Sequence, residues 1–349
     1  MFQEHLGMIE AHWKSELPFV AYRKPNTNKV LSVFQNDSTL HQLQDFRETG
    51  FVFAPYDKKA PGVLILPDKV FSHEYQLREF DFNDASFPEI SEEDKTYHIE
   101  IVKKGIKEIG INKLEKVVLS RKIVVPNQSS PIEIFRKVLD TYPNAFCYCW
   151  YHPKIGLWIG ATPELLLLKQ NNSLLTVSLA GTTKSMAKNK PLWRKKELEE
   201  QELVTRHIVE QLRKYVTDLS IGKVDSVRAG NLWHLKTKIW GTIRNLEMEK
   251  IIQALHPTPA VCGLPVNEAE AFIKKYENYD REFYSGYLGE LNMGKDKNTH
   301  LFVNLRCMQI KGDSGFLYVG GGITSDSNAQ QEWTETVHKS ETMLNMIFK

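Results

Sequence analysis

Four apolar, strand-like runs follow one another over residues 146–151, 156–160, 164–168 and 174–179, with only short turns between them. Strands that are neighbours in sequence, with helices set apart from them, predict antiparallel sheets in an α+β fold. The rest of the chain fits that frame. A run rich in β-branched residues predicts a strand over 116–125. Further strands are expected at 30–34, 62–66, 226–229, 240–244, 284–291, 300–309 and 316–320. A short helix opens the chain. Residues 91–111 form another, with Ser91 as its N-cap, acids in the first turn, and Ile99, Val102, Ile106 and Ile109 at helical spacing. More helices are predicted over 131–140, about 191–217, 248–255, 267–278 and 330–348. All linkers are short, so residues 1–349 read as one large domain.

Composition narrows the function. The formal net charge is +2, so there is no basic excess that would mark a nucleic-acid binder. No stretch of about 18 apolar residues is present, and no membrane span is expected. The N-terminus, Met-Phe-Gln-Glu-His-Leu, lacks the features of a secretory signal. A cytoplasmic setting follows as the expectation. Cys147, Cys149, Cys262 and Cys307 form no CxxC pair and no zinc-spaced cluster, so they read as free thiols. The run Trp193-Arg194-Lys195-Lys196, followed at once by acids, reads as a solvated helix start.

Two helices carry acids at telling positions. On the predicted 191–217 helix, Val204, Ile208 and Leu212 mark a buried stripe. Extending it backwards reaches Glu200 and, one turn earlier, Glu197. On the last helix Glu332, Glu335 and Lys339 share a face. Each ExxE pair alone fits ordinary surface or dipole chemistry: Glu335 and Lys339 have i,i+4 ion-pair spacing, and acids near a helix start complement its dipole. Together, two such pairs on separate helices can enclose a hard cation such as Mg²⁺, which takes oxygen ligands and keeps positions open.

Other residues stand out singly. Gly320, Gly321 and Gly322 read as a turn between a strand and the last helix. Such a turn either binds a carboxylate through its backbone N–H groups or is only a tight connection. Arg306 falls in the apolar 300–309 run, where a planar guanidinium pairs with a carboxylate, either a ligand's or an internal one. Lys116 and Glu164 each stand at the mouth of an apolar run. Desolvation there would lower a lysine pKa and raise a glutamate pKa, while ordinary strand-end solvation is the plainer alternative. His234 and His256 read equally well as packing residues.

Taken in order, seven segments are more specific. They are Glu115–Arg121, Gly160–Leu166, Leu179–Thr182, Leu232–Leu235, His256–Gly263, Phe283–Gly286, and Gly320–Ile323 with Glu332–Thr336 and Lys339. From about residue 90 onward, the chain resembles the chorismate-utilising enzymes, a family that includes isochorismate, salicylate, anthranilate and aminodeoxychorismate synthases. Residues 1–90 carry less of the likeness. The resemblance implies two facing antiparallel sheets with outer helices and an active site in the cleft. It implies Mg²⁺ as cofactor, held by Glu200 and Glu335 with Glu197 and Glu332 in support. It places Tyr284 and Arg306 on the pyruvyl carboxylate of chorismate. Gly320, Gly321, Gly322 and Lys339 come near the substrate, Gly181 and Thr182 lie against the ring, and His234 is the active-site histidine. Lys116 would activate water and Glu164 would protonate the leaving C4 hydroxyl.

Within the family, Ala180 stands where aminodeoxychorismate synthases carry a nucleophilic lysine. The 232–235 and 256–260 segments look most like isochorismate synthases, of the kind that feed menaquinone or siderophore synthesis. No glutamine amidotransferase subunit is expected, and a monomer is. The alternatives are a salicylate synthase, a non-catalytic binding protein of the same fold, and an unrelated four-glutamate metal hydrolase.

Overall fold

Strands whose residues are all buried must be covered on both faces. Residues Phe19–Arg23, Gly50–Ala54 and Phe146–His152 are such strands. Their alternation sorts two kinds of core. Val20, Tyr22, Phe146, Tyr148 and Trp150 point one way, into an aromatic-rich cluster with Phe51, Phe53, Trp158, Phe283, Tyr284, Phe302 and Tyr318. Phe19, Ala21, Cys147 and Cys149 point the other way, against Phe135, Leu139, Met343 and Ile347. The first cluster lies between two sheets, and the second between a sheet and its helices.

The structure is a computed structural model and describes residues 2–78, 87–89, 91–184, 190–229, 232–244 and 248–348. Among these the strands pair antiparallel in two large sheets, with helices outside, as the sequence predicts. The first sheet runs Gly263–Leu264, Lys116–Pro126, Ser314–Ile323, Cys307–Lys311, Gly156–Thr162, Phe146–His152, Phe19–Arg23, Lys29–Phe34, Lys69–Glu74. The second runs Val216–Ile221, Leu232–Ile243, Ser173–Lys184, Leu165–Gln170, Asn298–Val303, Tyr287–Met293, Gly50–Ala54, Val63–Ile65, His41–Gln42, and Asp225–Ala229 pairs with Leu232–Ile243 beside this path. The first 74 residues therefore supply strands to both sheets.

The acidic helix Lys195–Leu212 packs Val204, Ile208 and Leu212 onto the second sheet. The C-terminal helix Ala329–Phe348 packs Met343, Leu344, Met346 and Ile347 onto the first. Four expectations change. The helix predicted to Thr217 ends at Leu212, and Val216–Ile221 is an edge strand. The strand predicted at 240–244 begins at Leu232, so His234 lies on it. The 300–309 run is two strands, Asn298–Val303 in the second sheet and Cys307–Lys311 in the first. An apolar run that crosses between sheets looks continuous in sequence, because both halves are buried. Finally, Tyr284 sits in the turn before the strand Tyr287–Met293.

Candidate active site

The crossing at 304–306 opens onto a cavity between the sheets and the two acidic helices. Glu164, Gly181, Glu197, Glu200, His234, Tyr284, Arg306, Gly320, Gly321, Gly322, Glu335 and Lys339 all line it. Lys116 and Glu332 stand just behind this lining. Thr182 pairs through its backbone with His234, while its side chain lies outside the described residues. Residues far apart in sequence thus converge on one place.

The glycines correct an expectation. They form no turn. Gly320–Gly322 belong to the strand Ser314–Ile323, opposite Ser120, Leu119 and Val118. Space explains them better than conformation does. A Cβ on Gly322 would stand 2.6 Å from Glu200 Oε1 and 3.0 Å from Lys116 Cε. One on Gly320 would stand 2.8 Å from the Leu119 carbonyl oxygen and 3.1 Å from the Tyr284 hydroxyl. Bare backbone is what lets the acids, the lysine and the tyrosine close on this strand.

The acidic wall is balanced pair by pair. Lys116, only 1% exposed, donates to Glu200 Oε1 at 2.8 Å. Lys196 donates to Glu332 Oε1 at 2.7 Å, and Lys339 to Glu335 Oε1 at 2.7 Å. Arg194 pairs with Glu197. Lys339 also donates to the Gly320 carbonyl at 2.9 Å, so its i,i+4 pair with Glu335 is part of the cavity wall. Burial acts to raise the Glu200 pKa, but Lys116, through charge and hydrogen bond, and then Lys196 and Lys339 bring it below the ordinary value. Glu332 is shifted upward, by burial first and then by the charge of Glu335, with Lys196 opposing. As the side chains stand, no group of three or more acid, histidine or cysteine residues among the described residues is arranged to hold a metal ion.

Lys196 corrects the reading of that run as a solvated helix start: it lines the cavity and is 21% exposed, whereas Arg194 and Lys195 are solvated as expected, 69% and 89% exposed, with Arg194 at the cavity edge. The available signal was the position of Lys196, beside Glu197 and one turn before Glu200, but sequence alone does not say which of two adjacent lysines turns inward. Tyr318 is a further lining residue that the sequence reading missed.

Glu164 stands just before the strand Leu165–Gln170 and is 5% exposed. Burial raises its pKa to about 7, although Lys116, Lys339 and Arg306 all pull it down. It can therefore carry a proton near neutrality. Arg306 adopts φ +48 at the crossing between sheets, and its Nη2 lies 2.8 Å from His234 Nε2. Burial, Arg306 and Lys339 hold the His234 pKa well below that of a free imidazole. Tyr284 stacks on Tyr318 with ring centres 5.4 Å apart. His256 lies elsewhere, bonded to the Pro55 and Tyr56 carbonyls, and serves packing.

A cavity between two antiparallel sheets, lined with a carboxylic acid of raised pKa, lysines, an arginine and paired acids on two helices, suits the binding of an anionic small molecule. Comparison with known proteins is more specific. The sequence profile described as chorismate binding enzyme matches residues 68–348, and the chain belongs to that family. It is 28% identical to the isochorismate synthase EntC of Escherichia coli (strain K12) over 315 residues, covering 84% of this chain and 79% of that protein. It is 29% identical over 265 residues to the isochorismate synthase MenF of the same organism, covering 73% and 61%. A Bacillus anthracis crystal structure, assigned as the 2,3-dihydroxybenzoate-specific isochorismate synthase DhbC, superimposes with a TM-score of 0.83 at 25% identity over 98% of both chains. No described helix is long and apolar enough to cross a membrane.

Proposed function

We propose that this protein is an isochorismate synthase, which adds water at C2 of chorismate and expels the C4 hydroxyl to give isochorismate. The observation that carries the reading is Glu164. It is a buried carboxyl with a pKa of about 7, in the same cavity as cations suited to a dicarboxylate, Arg306 and Lys339. In the reaction Glu164 gives its proton to the departing hydroxyl. Lys116, having parted from Glu200 and lost its ammonium proton to solvent, takes the proton of the attacking water as a neutral amine. Arg306 and Tyr284 hold the pyruvyl carboxylate, and Gly181 and Thr182 bound the ring.

The acid set fits Mg²⁺: Glu200 and Glu335, with Glu197 and Glu332 in support, supply only hard oxygen donors, and the glycine strand leaves room beside them. Bound there, the metal would fix the ring carboxylate and neutralise charge. The enzyme works alone as a monomer on a small molecule, with no amidotransferase subunit, in the cytoplasm. Its product serves menaquinone or siderophore synthesis.

The test is product analysis with chorismate and Mg²⁺. An equilibrium mixture of chorismate and isochorismate, lost on adding EDTA, is the expected result. Fluorescent salicylate with equimolar pyruvate would make it a salicylate synthase, and no turnover would make it a binding protein.

A further inference from the structure

Arginine can only donate hydrogen bonds. With Arg306 Nη2 at 2.8 Å, His234 Nε2 must therefore be the bare, accepting nitrogen. The imidazole proton then sits on Nδ1. The ring also bonds the Gly181 backbone, and with Nε2 engaged by Arg306 the donor to that carbonyl is Nδ1–H. Both nitrogens are thus spent inside the protein.

The surroundings hold this arrangement in place. Gly181 is the extra residue of a bulge, lying between Ala180, opposite Leu235, and Thr182, opposite His234. Its φ is +67, which suits glycine. A Cβ there would stand 3.0 Å from Glu197 Cβ, so the bulge is pressed against the acidic helix. Arg306 itself adopts a left-handed backbone at the crossing between sheets, a conformation that a non-glycine residue keeps only where its surroundings fix it.

We propose that His234 is a positioning residue: as a neutral Nδ1–H tautomer it ties the bulge to the Arg306 guanidinium and aims that group into the cavity, and it neither gives nor takes a proton in the reaction. Burial beside two cations keeps the ring neutral. The kinetic part of this inference rests on the proposed reaction with chorismate, while the tautomer does not.

Two measurements test it. The first is nitrogen-resolved NMR of the imidazoles in the ligand-free wild type, with His234→Gln used to assign the signal. The expected result near neutral pH is a protonated Nδ1 and a bare Nε2. An Nε2–H tautomer or an imidazolium overturns the proposal, whatever the substrate proves to be. The second is steady-state kinetics with chorismate. His234→Ala is expected to raise KM about tenfold to a hundredfold, the scale of a lost charge-assisted hydrogen bond, with kcat changed less than about threefold. His234→Gln, whose amide oxygen can accept from Arg306, should recover most of that loss. A large fall in kcat shared by both variants would mean that the imidazole moves a proton, and the proposal fails. A wild type inert to chorismate would overturn the proposed function and leave the tautomer result to stand or fall by itself.

Discussion

The two walls of the cavity are stabilised in opposite ways. On the aromatic side Tyr284 stacks on Tyr318, and Tyr318 on Trp158, with ring centres 5.4 Å apart in each pair. Behind them Arg281, 3% exposed, bonds Glu277 at 2.6 Å and the Val118 and Val261 carbonyls at 2.8 Å. Glu277 in turn accepts from the backbone and hydroxyl of Ser120. That wall has a fixed shape and requires nothing from outside. The other wall sets four carboxylates from two helices, each paired with a cation from the same chain. Glu332 is shifted upward by burial first and then by the charge of Glu335. One wall gives shape, and the other holds charge that can be re-partnered.

The largest effects should come where the two walls meet the reacting atoms. Lys116→Ala and Glu164→Ala are each expected to lower kcat by about 10²-fold or more, the usual scale for acid–base residues. Near-normal turnover in either variant would remove its role and leave the charged wall a purely binding device.

Titration separates Glu164 from the other acids. Its folded pKa, about 7, lies above the ordinary 4.5. The folded state therefore holds this proton more tightly than the unfolded chain does. Its contribution to stability, about 3 kcal/mol, is fully present below pH 4.5 and is lost as pH rises towards 7. Urea melts across that window should show the slope in wild type and lack it in Glu164→Gln. In its proposed role as proton donor, Glu164 should also make kcat/KM fall as pH rises through about 7. Unchanged slopes in Glu164→Gln would assign that pH dependence to another group.

The walls should also respond differently to metal. Glu200→Gln or Glu335→Gln removes a hard oxygen donor and its charge. Each should weaken Mg²⁺ binding, read by calorimetry, about tenfold or more. Tyr318→Phe, on the aromatic wall, should leave that affinity unchanged. Equal losses in all three would show that the walls are one cooperative unit.

Much of this architecture was legible in the sequence, for reasons that can be named. The short-turned strands at 146–179 form two antiparallel pairs, one in each sheet, with the crossing between them at 162–165, and the Val204, Ile208, Leu212 stripe located Glu200 and Glu197 on the buried side of their helix. The roles came from the resemblance, since spacing alone does not bring Arg306 to His234. What stayed hidden was set by tertiary contact. Asn304, Leu305 and Arg306 looked like the middle of one strand, because the runs on either side of the crossing are both buried and apolar. The three glycines looked like a turn, because sequence shows only that a side chain is missing. The reason is the approach of Glu200 and Tyr284 from elsewhere in the chain.

The smallest predicted effect comes from two lysines that the sequence cannot tell apart. Lys196 reaches across to Glu332, which is 3% exposed. Removing its amine leaves a carboxylate crowded by Glu335 without its hydrogen-bonded cation, a destabilising change. Lys195, its neighbour, is 89% exposed and lies 3.4 Å from Glu199, itself 53% exposed. Solvent screens such a pair, so Lys195→Ala should shift the urea midpoint by no more than corresponds to about 0.5 kcal/mol. Lys196→Ala should destabilise clearly more. If the two variants melt alike, the Lys196–Glu332 pair does not hold the helices Lys195–Leu212 and Ala329–Phe348 together, and the charged wall owes its form to packing, as the aromatic wall does.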